Sequence, residues 1–265
     1  MAAMKLHLPR LLLGLGLGFL GCLVAIATAG TPSPVQSTAR PSGLPVIGDV
    51  DLAGSDAQAQ ALEAVKAGYI QMVNQYLPER VAFTGAGLNQ LDPQRLYFTS
   101  AYAPRVYFLY EGACYTNALG ATIATVTAPT NQILSGNTFT IFPNTHSSIS
   151  YICASNSGQR TQSEPLLAGD FVQLPMVTAG QQLSFFIMAN LNGNTPQDTY
   201  YNGTTNNDDN FQHMIAFFPD NSQYLIIGFE DMFNGGDQDC NDVMFVVDVG
   251  AQNAAALRNP STFPR

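Results

Sequence analysis

Gly235-Gly236-Asp237-Gln238-Asp239-Cys240-Asn241-Asp242 lies between two apolar runs, residues 223–229 and 243–249. Asp237, Asp239 and Asn241 alternate as the first ligands of an EF-hand loop do. The sixth position, however, is Asp242, where the EF-hand turn requires Gly. The next segment, Val243-Met244-Phe245-Val246-Val247-Asp248-Val249, is a strand rather than a helix, rich in β-branched residues. The stretch therefore reads as an Asp-rich loop joining two strands. Outward from it the same pattern recurs. Residues 95–102 and 105–110 are strand-like and aromatic, and further short runs lie at 121–126, 138–142, 148–152, 171–174, 182–188 and 211–218, punctuated by Gly, Pro and Asn. Many short strands so separated predict a mainly β fold, an antiparallel β-sandwich or jelly roll over residues 81–250.

One helix is expected, over residues 55–76. Ser55 or Asp56 can cap it, Leu62, Val65, Tyr69, Met72, Val73 and Tyr76 recur at helical spacing, and Pro78 follows its end. This gives an N-terminal amphipathic appendage, residues 55–80, packed outside the sandwich. Ahead of it, Thr31-Pro32-Ser33-Pro34 and Pro41-Ser42-Gly43 suggest a flexible linker over residues 30–54. The first 29 residues have the form of a secretory signal peptide: Lys5 and Arg10, an apolar core over 11–26, then Ala27-Thr28-Ala29 for cleavage. Residues 251–265 read as a polar tail. No later apolar run is long enough to span a bilayer, so the protein is expected to be exported, to periplasm, cell surface or medium.

Cleavage would leave eight basic against nineteen acidic residues, a net charge of −11. That disfavours nucleic acid and anionic lipid as partners and favours cations. Twelve of the carboxylates, and no Lys or Arg, lie between Arg160 and Arg258. Ionised acids this dense repel one another, and a hard cation such as calcium neutralises them through oxygen ligands. Glu230, Asp231, Asp237, Asp239, Asn241 and Asp242 are the candidate ligands. Glu230 and Asp231 end one strand and are brought back beside Asp237 and Asp239 by a hairpin-like connection. Asn207 and Asp209, in Asn206-Asn207-Asp208-Asp209-Asn210, are possible additions from a second loop on the same rim. Turn capping through side-chain bonds to backbone is the competing account, and it explains one or two of these residues rather than six. His213, Glu111, Gly112 and Asn117 have structural readings, a buried histidine and a turn.

Ile227-Gly228-Phe229-Glu230-Asp231, then Gly236-Asp237-Gln238-Asp239-Cys240-Asn241-Asp242-Val243, resembles the signature of the bacterial domain of unknown function 4114, of LruC-type exported proteins. Upstream, Ala168-Gly169-Asp170-Phe171-Val172, Leu183-Ser184-Phe185-Phe186-Ile187-Met188 and the segment 107–120 extend the likeness to about residues 91–249. The resemblance implies a secreted β-rich module, with calcium as the ion expected. Cys240 stands where that family usually carries an aromatic residue and Cys114 where it usually carries Gly; neither change removes a carboxylate.

The function these residues favour is a non-enzymatic calcium-binding module in cell-surface, matrix or adhesion contexts. An extracellular glycan or surface protein is its expected partner. A glycan-binding module is the alternative, supported by abundant Tyr and Phe and weakened by the absence of Trp. A carboxylate-dependent glycoside hydrolase is the third, with Glu230 or Asp231 as acid or base. Three cysteines remain after cleavage. Cys114 and Cys153 both flank strands in an exported chain and are expected to pair, leaving Cys240; three buried thiols are the other possibility.

Overall fold

The computed structural model describes residues 36–92, 95–149 and 153–264; the expected signal peptide lies outside them. The chain is mainly β. Among the described residues nine strands, β1 (Arg105–Tyr110), β2 (Ala118–Thr125), β3 (Asn137–Phe142), β4 (Phe171–Gln173), β5 (Gln181–Ala189), β6 (Asp198–Tyr201), β7 (Met214–Phe217), β8 (Tyr224–Phe229) and β9 (Val243–Asp248), form two antiparallel sheets. Their orders are β4-β1-β9-β8-β7 and β3-β2-β5-β6. Alternate residues of each sheet meet in one core, a sandwich-like arrangement. Val106, Phe108, Leu225, Ile227, Phe229, Phe245 and Val247 face Leu119, Ala121, Leu183, Phe185 and Ile187.

The five-stranded sheet is covered on its other face as well, which explains why β8 and β9 are buried along their whole length. Tyr107, Leu109, Ile226, Met244 and Val246 pack there against Ala59, Leu62, Tyr69 and Val73 of α1 (Ala57–Tyr76). The helix therefore lies outside the sandwich, as its spacing predicts. Asp56 is its N-cap, accepting a 2.8 Å bond from Ala59 N, and also receives Arg105 through two bonds of 2.8 and 2.7 Å. The arginine bonds, then the Ala59 N–H, hold the Asp56 carboxyl down at about 2. A depressed folded value stabilises above the ordinary pKa of 3.8 and is lost as pH falls towards 2. Asp56→Ala should cost about 1 kcal/mol in thermal melts at neutral pH, with most of that difference gone near pH 2, whereas Asp56→Asn should retain the cap.

Two segments differ from their composition. Residues 36–54 are not a linker where they are described. Val46 bridges to Thr140 on edge strand β3 and Asp51 to Phe171 on edge strand β4, with Val50 buried in the core. One segment thus covers an edge of each sheet, where open N–H and C=O groups would otherwise invite pairing. Nor are residues 251–264 simply a polar tail. They form α2 (Ala251–Arg258), and Ala254, Leu257 and Phe263 close one end of the core. Asn253 fastens it, its Oδ1 accepting from Thr99 N and Ser100 N and its Nδ2 donating to Ser100 O and Val249 O.

Residues 95–102 make isolated bridges, Tyr97 to Gln182 and Tyr102 to Val177, rather than a strand. Ser148 and Ile149 are in a bend, and residues 150–152 of that expected strand lie outside the described residues. Strand β6 is an addition. Cys114 and Cys153 form a disulfide with Cα atoms 5.3 Å apart, and the Cys240 thiol is free and buried. No described helix is long and apolar enough to cross a membrane.

Candidate metal centre

The acidic loop joins β8 to β9, and three other segments converge on it. One is the chain leaving α1, where Arg80 N donates to Asp239 Oδ2 at 2.8 Å and Phe83 N to Gln238 O at 2.7 Å. A second is the connection from β1 to β2, where Gly112 N donates to Asn241 O at 3.1 Å. The third precedes β7, where Asn234 N donates to Asp209 Oδ2 at 2.7 Å. The loop itself turns tightly. Asn234, Gln238 and Cys240 all have left-handed φ, at 61°, 65° and 57°. Gly236 is required where it stands: its φ is positive, and a Cβ there would lie 2.5 Å from Glu230 Oε1.

The structure divides the six expected ligands into two groups. Glu230, Asp231 and Asp242 each offer a carboxylate oxygen, all within 4.8 Å of one another. Glu230 and Asp231 are only 1% and 4% exposed. Cys240 N donates to Glu230 Oε2 at 3.3 Å, Asp231 N to Asp242 Oδ2 at 2.8 Å, and Asn117 Nδ2 to Asp231 Oδ2 at 2.7 Å. Burial first, and then the neighbouring acids, push all three carboxyl pKa values up. No Lys, Arg or His side chain forms an ion pair with any of the three among the described residues.

The second group is Asp237, Asp239 and a residue that the sequence pattern does not single out, Glu79, again within 4.8 Å of one another. Glu79 closely follows α1, so the helix end supplies a carboxylate to a loop far away in sequence. Asn241 belongs with this group. Its backbone N donates to Asp239 Oδ1 at 3.1 Å, its Nδ2 donates to Leu77 O at 3.0 Å, and its carboxamide sits against the Glu79 and Asp239 carboxylates. Burial and the charges of Asp239 and Asp237 raise the Glu79 pKa; burial and Asp237 raise that of Asp239.

The Asn207–Asp209 loop does adjoin the acidic loop, but its side chains are taken up in holding the backbone. Asn207 Oδ1 accepts from Tyr201 N, and its Nδ2 donates to Tyr201 O, Gly203 O and Phe211 O. Asp209 accepts from Phe211 N and Asn234 N and faces His213 Nε2 at 2.8 Å. Burial alone would raise the Asp209 pKa, yet these bonds outweigh it and hold the carboxyl below its usual range. Both residues therefore brace the rim, one loop away from the Glu230–Asp231–Asp242 group. His213 is fully buried, with Nδ1 2.9 Å from Glu230 O and its ring stacked on Tyr200 at 3.6 Å.

Asn117, which reads as a turn residue, instead orients Asp231 directly, while its Oδ1 accepts from Asn190 N at 3.1 Å. Beside it, Glu111 pairs with His146 Nδ1 at 2.6 Å and accepts from Ser147 N at 2.9 Å. Nothing in the spacing of Asn117 or Glu79 links either to the acidic loop. A polar residue in a turn and a lone acid after a helix are ordinary at the surface.

Oxygen ligands alone, carboxylate and amide, suit calcium or another hard cation and fit poorly with zinc or copper. Searches of curated proteins and of solved structures found no match to this chain. The family match begins at residue 168, so the likeness read upstream at 107–120 lies outside it. Residues 168–250, which contain β4 to β9 and the whole acidic loop, match the domain of unknown function DUF4114.

Proposed function

We propose that this protein is an exported, non-enzymatic calcium-binding module of cell-surface, matrix or adhesion contexts, with an ion held by Glu230, Asp231 and Asp242. One observation carries the reading: three carboxylates within 4.8 Å, two of them buried, with no basic side chain paired to them among the described residues. Such a group is costly when ionised and unaccompanied. A divalent cation removes the repulsion and joins the end of β8 to the start of β9. Asn117 holds Asp231 in place, so the ion would also tie the acidic loop to the β1–β2 connection.

Equilibrium dialysis of the purified protein against millimolar calcium, with calcium measured by elemental analysis on both sides of the membrane, tests the assignment. Bound calcium is expected in the wild type and less in Asp242→Asn, which keeps an acceptor for Asp231 N while losing the charge. A wild type that holds no calcium in excess of the dialysate would return these residues to turn chemistry.

The glycan reading has one specific support. A cavity of about 650 Å³ lies at the opposite end of β8, lined by Asn89, Asp92, Asp220, Asn221 and Arg258 among others, groups that can bond hydroxyls. A glycan array probed with and without chelator separates binding there from binding that depends on the acidic loop.

A further inference from the structure

Three Asn–Gly pairs occur in the chain, Asn192-Gly193, Asn202-Gly203 and Asn234-Gly235. Glycine has no side chain to shield its backbone nitrogen, so an asparagine amide just ahead of it is open to attack by that nitrogen. The fold treats the three pairs differently. Asn202 is 1% exposed, and its Oδ1 accepts from Ser184 Oγ at 2.6 Å. Asn234 is exposed, but the nitrogen that would attack it is engaged: Gly235 N donates to Met232 O at 2.9 Å. Asn192 and Gly193 are both exposed, and neither the Gly193 N–H nor the Asn192 side chain has a hydrogen-bond partner among the described residues. They belong to a two-residue turn between β5 and β6. Asn192 N donates to Thr195 O at 2.9 Å and Thr195 N to Asn192 O at 3.2 Å, with Gly193 at a φ of 63°.

The same turn holds the chain that precedes the sandwich. Arg40 N donates to Asn194 Oδ1 at 2.6 Å and Ser42 N to Asn194 O at 2.8 Å. A few residues on, that chain has its own bonds to β3: Thr140 N donates to Pro45 O at 2.8 Å and Ile47 N to Thr140 O at 3.0 Å. We infer that Asn192 is a site of spontaneous deamidation, and that its conversion unfastens residues 40–43 while residues 45–47 stay paired with β3. Gly193 N bonds to Asn192 Cγ, its proton passes to solvent, and Nδ2 leaves as ammonia, closing a succinimide ring. Water then opens the ring. Opening at the side-chain carbonyl gives aspartate. Opening at the backbone carbonyl gives isoaspartate, whose main chain runs through Cβ and Cγ and whose former backbone carbonyl is a free carboxylate. Nothing is oxidised or reduced. A two-residue turn has no slack for the extra chain atom, and Thr195 N loses the peptide carbonyl that it binds. Asn194 then loses its position against Arg40 and Ser42.

The test keeps the purified full chain warm at mildly alkaline pH, folded in one sample and reduced in guanidinium in another. Pepsin digestion and mass spectrometry then follow amide-to-acid conversion at each Asn–Gly pair. In the folded sample Asn192 should convert several-fold faster than Asn202 and Asn234, whereas in guanidinium the three should convert at similar rates. Amide hydrogen exchange over residues 40–43 should quicken in the aged wild type, and exchange over residues 45–47 should not. Aged Asn192→Gln should keep the fresh pattern, because its longer amide must close a larger ring; the side chain is exposed, so the fold is spared. An Asn192 that survives in the folded chain while converting in guanidinium overturns the inference. So does conversion of Asn202 or Asn234 in the folded sample as fast as that of Asn192. Conversion at Asn192 that leaves exchange over residues 40–43 unaltered overturns the unfastening.

Discussion

Reduction of the Cys114–Cys153 disulfide is expected to lower folding stability by about 4 kcal/mol, read from urea unfolding with and without a reductant. The bridge joins residues 39 apart, and the loop it closes contains β2 and β3, two of the four strands of one sheet. In the chain-entropy account nearly all of this comes from the unfolded state, which gains freedom when the loop opens. The folded corner has other ties. Thr145 N donates to Asn117 O at 2.8 Å, His146 pairs with Glu111, and Ser147 N donates to Glu111 Oε2. The reduced protein should therefore keep its strands and unfold at lower urea, rather than collapse into a partly folded form. Because Asn117 would remain in place, calcium stoichiometry should be unchanged by reduction. A loss below about 1 kcal/mol would mean that the unfolded chain is already compact around this loop.

The parts of the fold legible in the sequence are those with a repeating signal. Residues 182–188 and 223–229 are apolar runs of strand length, and they appear as β5 and β8. The spacing of Leu62, Tyr69 and Val73 identified the buried face of α1. The illegible parts lack a period. Residues 36–54 contain Pro and Gly and look like spacer, yet their scattered apolar side chains and free backbone groups find two sheet edges. Residues 95–102 look like a strand, but only single backbone contacts form along them, so there is no ladder. Phe263 and Leu257 join the core from a tail too short and polar to announce itself. At the site, the six acidic and amide groups of residues 230–242 were legible because they are dense. Their division into two groups was not, since it depends on which way each side chain leaves a loop with three left-handed non-glycine residues. Gly228 shows how close the packing is: a Cβ there would meet the Cys240 carbonyl oxygen at 2.3 Å.

Chelation of calcium is expected to give the other large change. Calcium at about one hundred times its dissociation constant stabilises a fold that alone binds it by about 2.7 kcal/mol per site. Extracellular calcium modules commonly bind at about 0.1–1 mM, and a denser acidic site can be tighter. The wild-type melting temperature should therefore fall when EDTA replaces millimolar calcium. Magnesium should restore little of it, because a rigid six-fold shell at shorter distances does not match side chains on a turning loop. Asp239→Ala should differ from the other acid variants. Its two oxygens accept the N–H groups of Arg80 and Asn241, which hold both the chain after α1 and the turn at Asn241. It should therefore melt below wild type even in EDTA, by the cost of two freed N–H groups, about 1 kcal/mol each when they stay partly buried. Asp242→Asn leaves an acceptor for Asp231 N, so it should melt near or above wild type in EDTA, relieved of one repelling charge, and gain less from calcium. This opposite ordering in EDTA, Asp239→Ala low and Asp242→Asn high, distinguishes a carboxylate that braces backbone from one whose charge is tolerated only for an ion. A wild-type melting temperature indifferent to calcium and EDTA would mean that the acids are neutralised by protons instead.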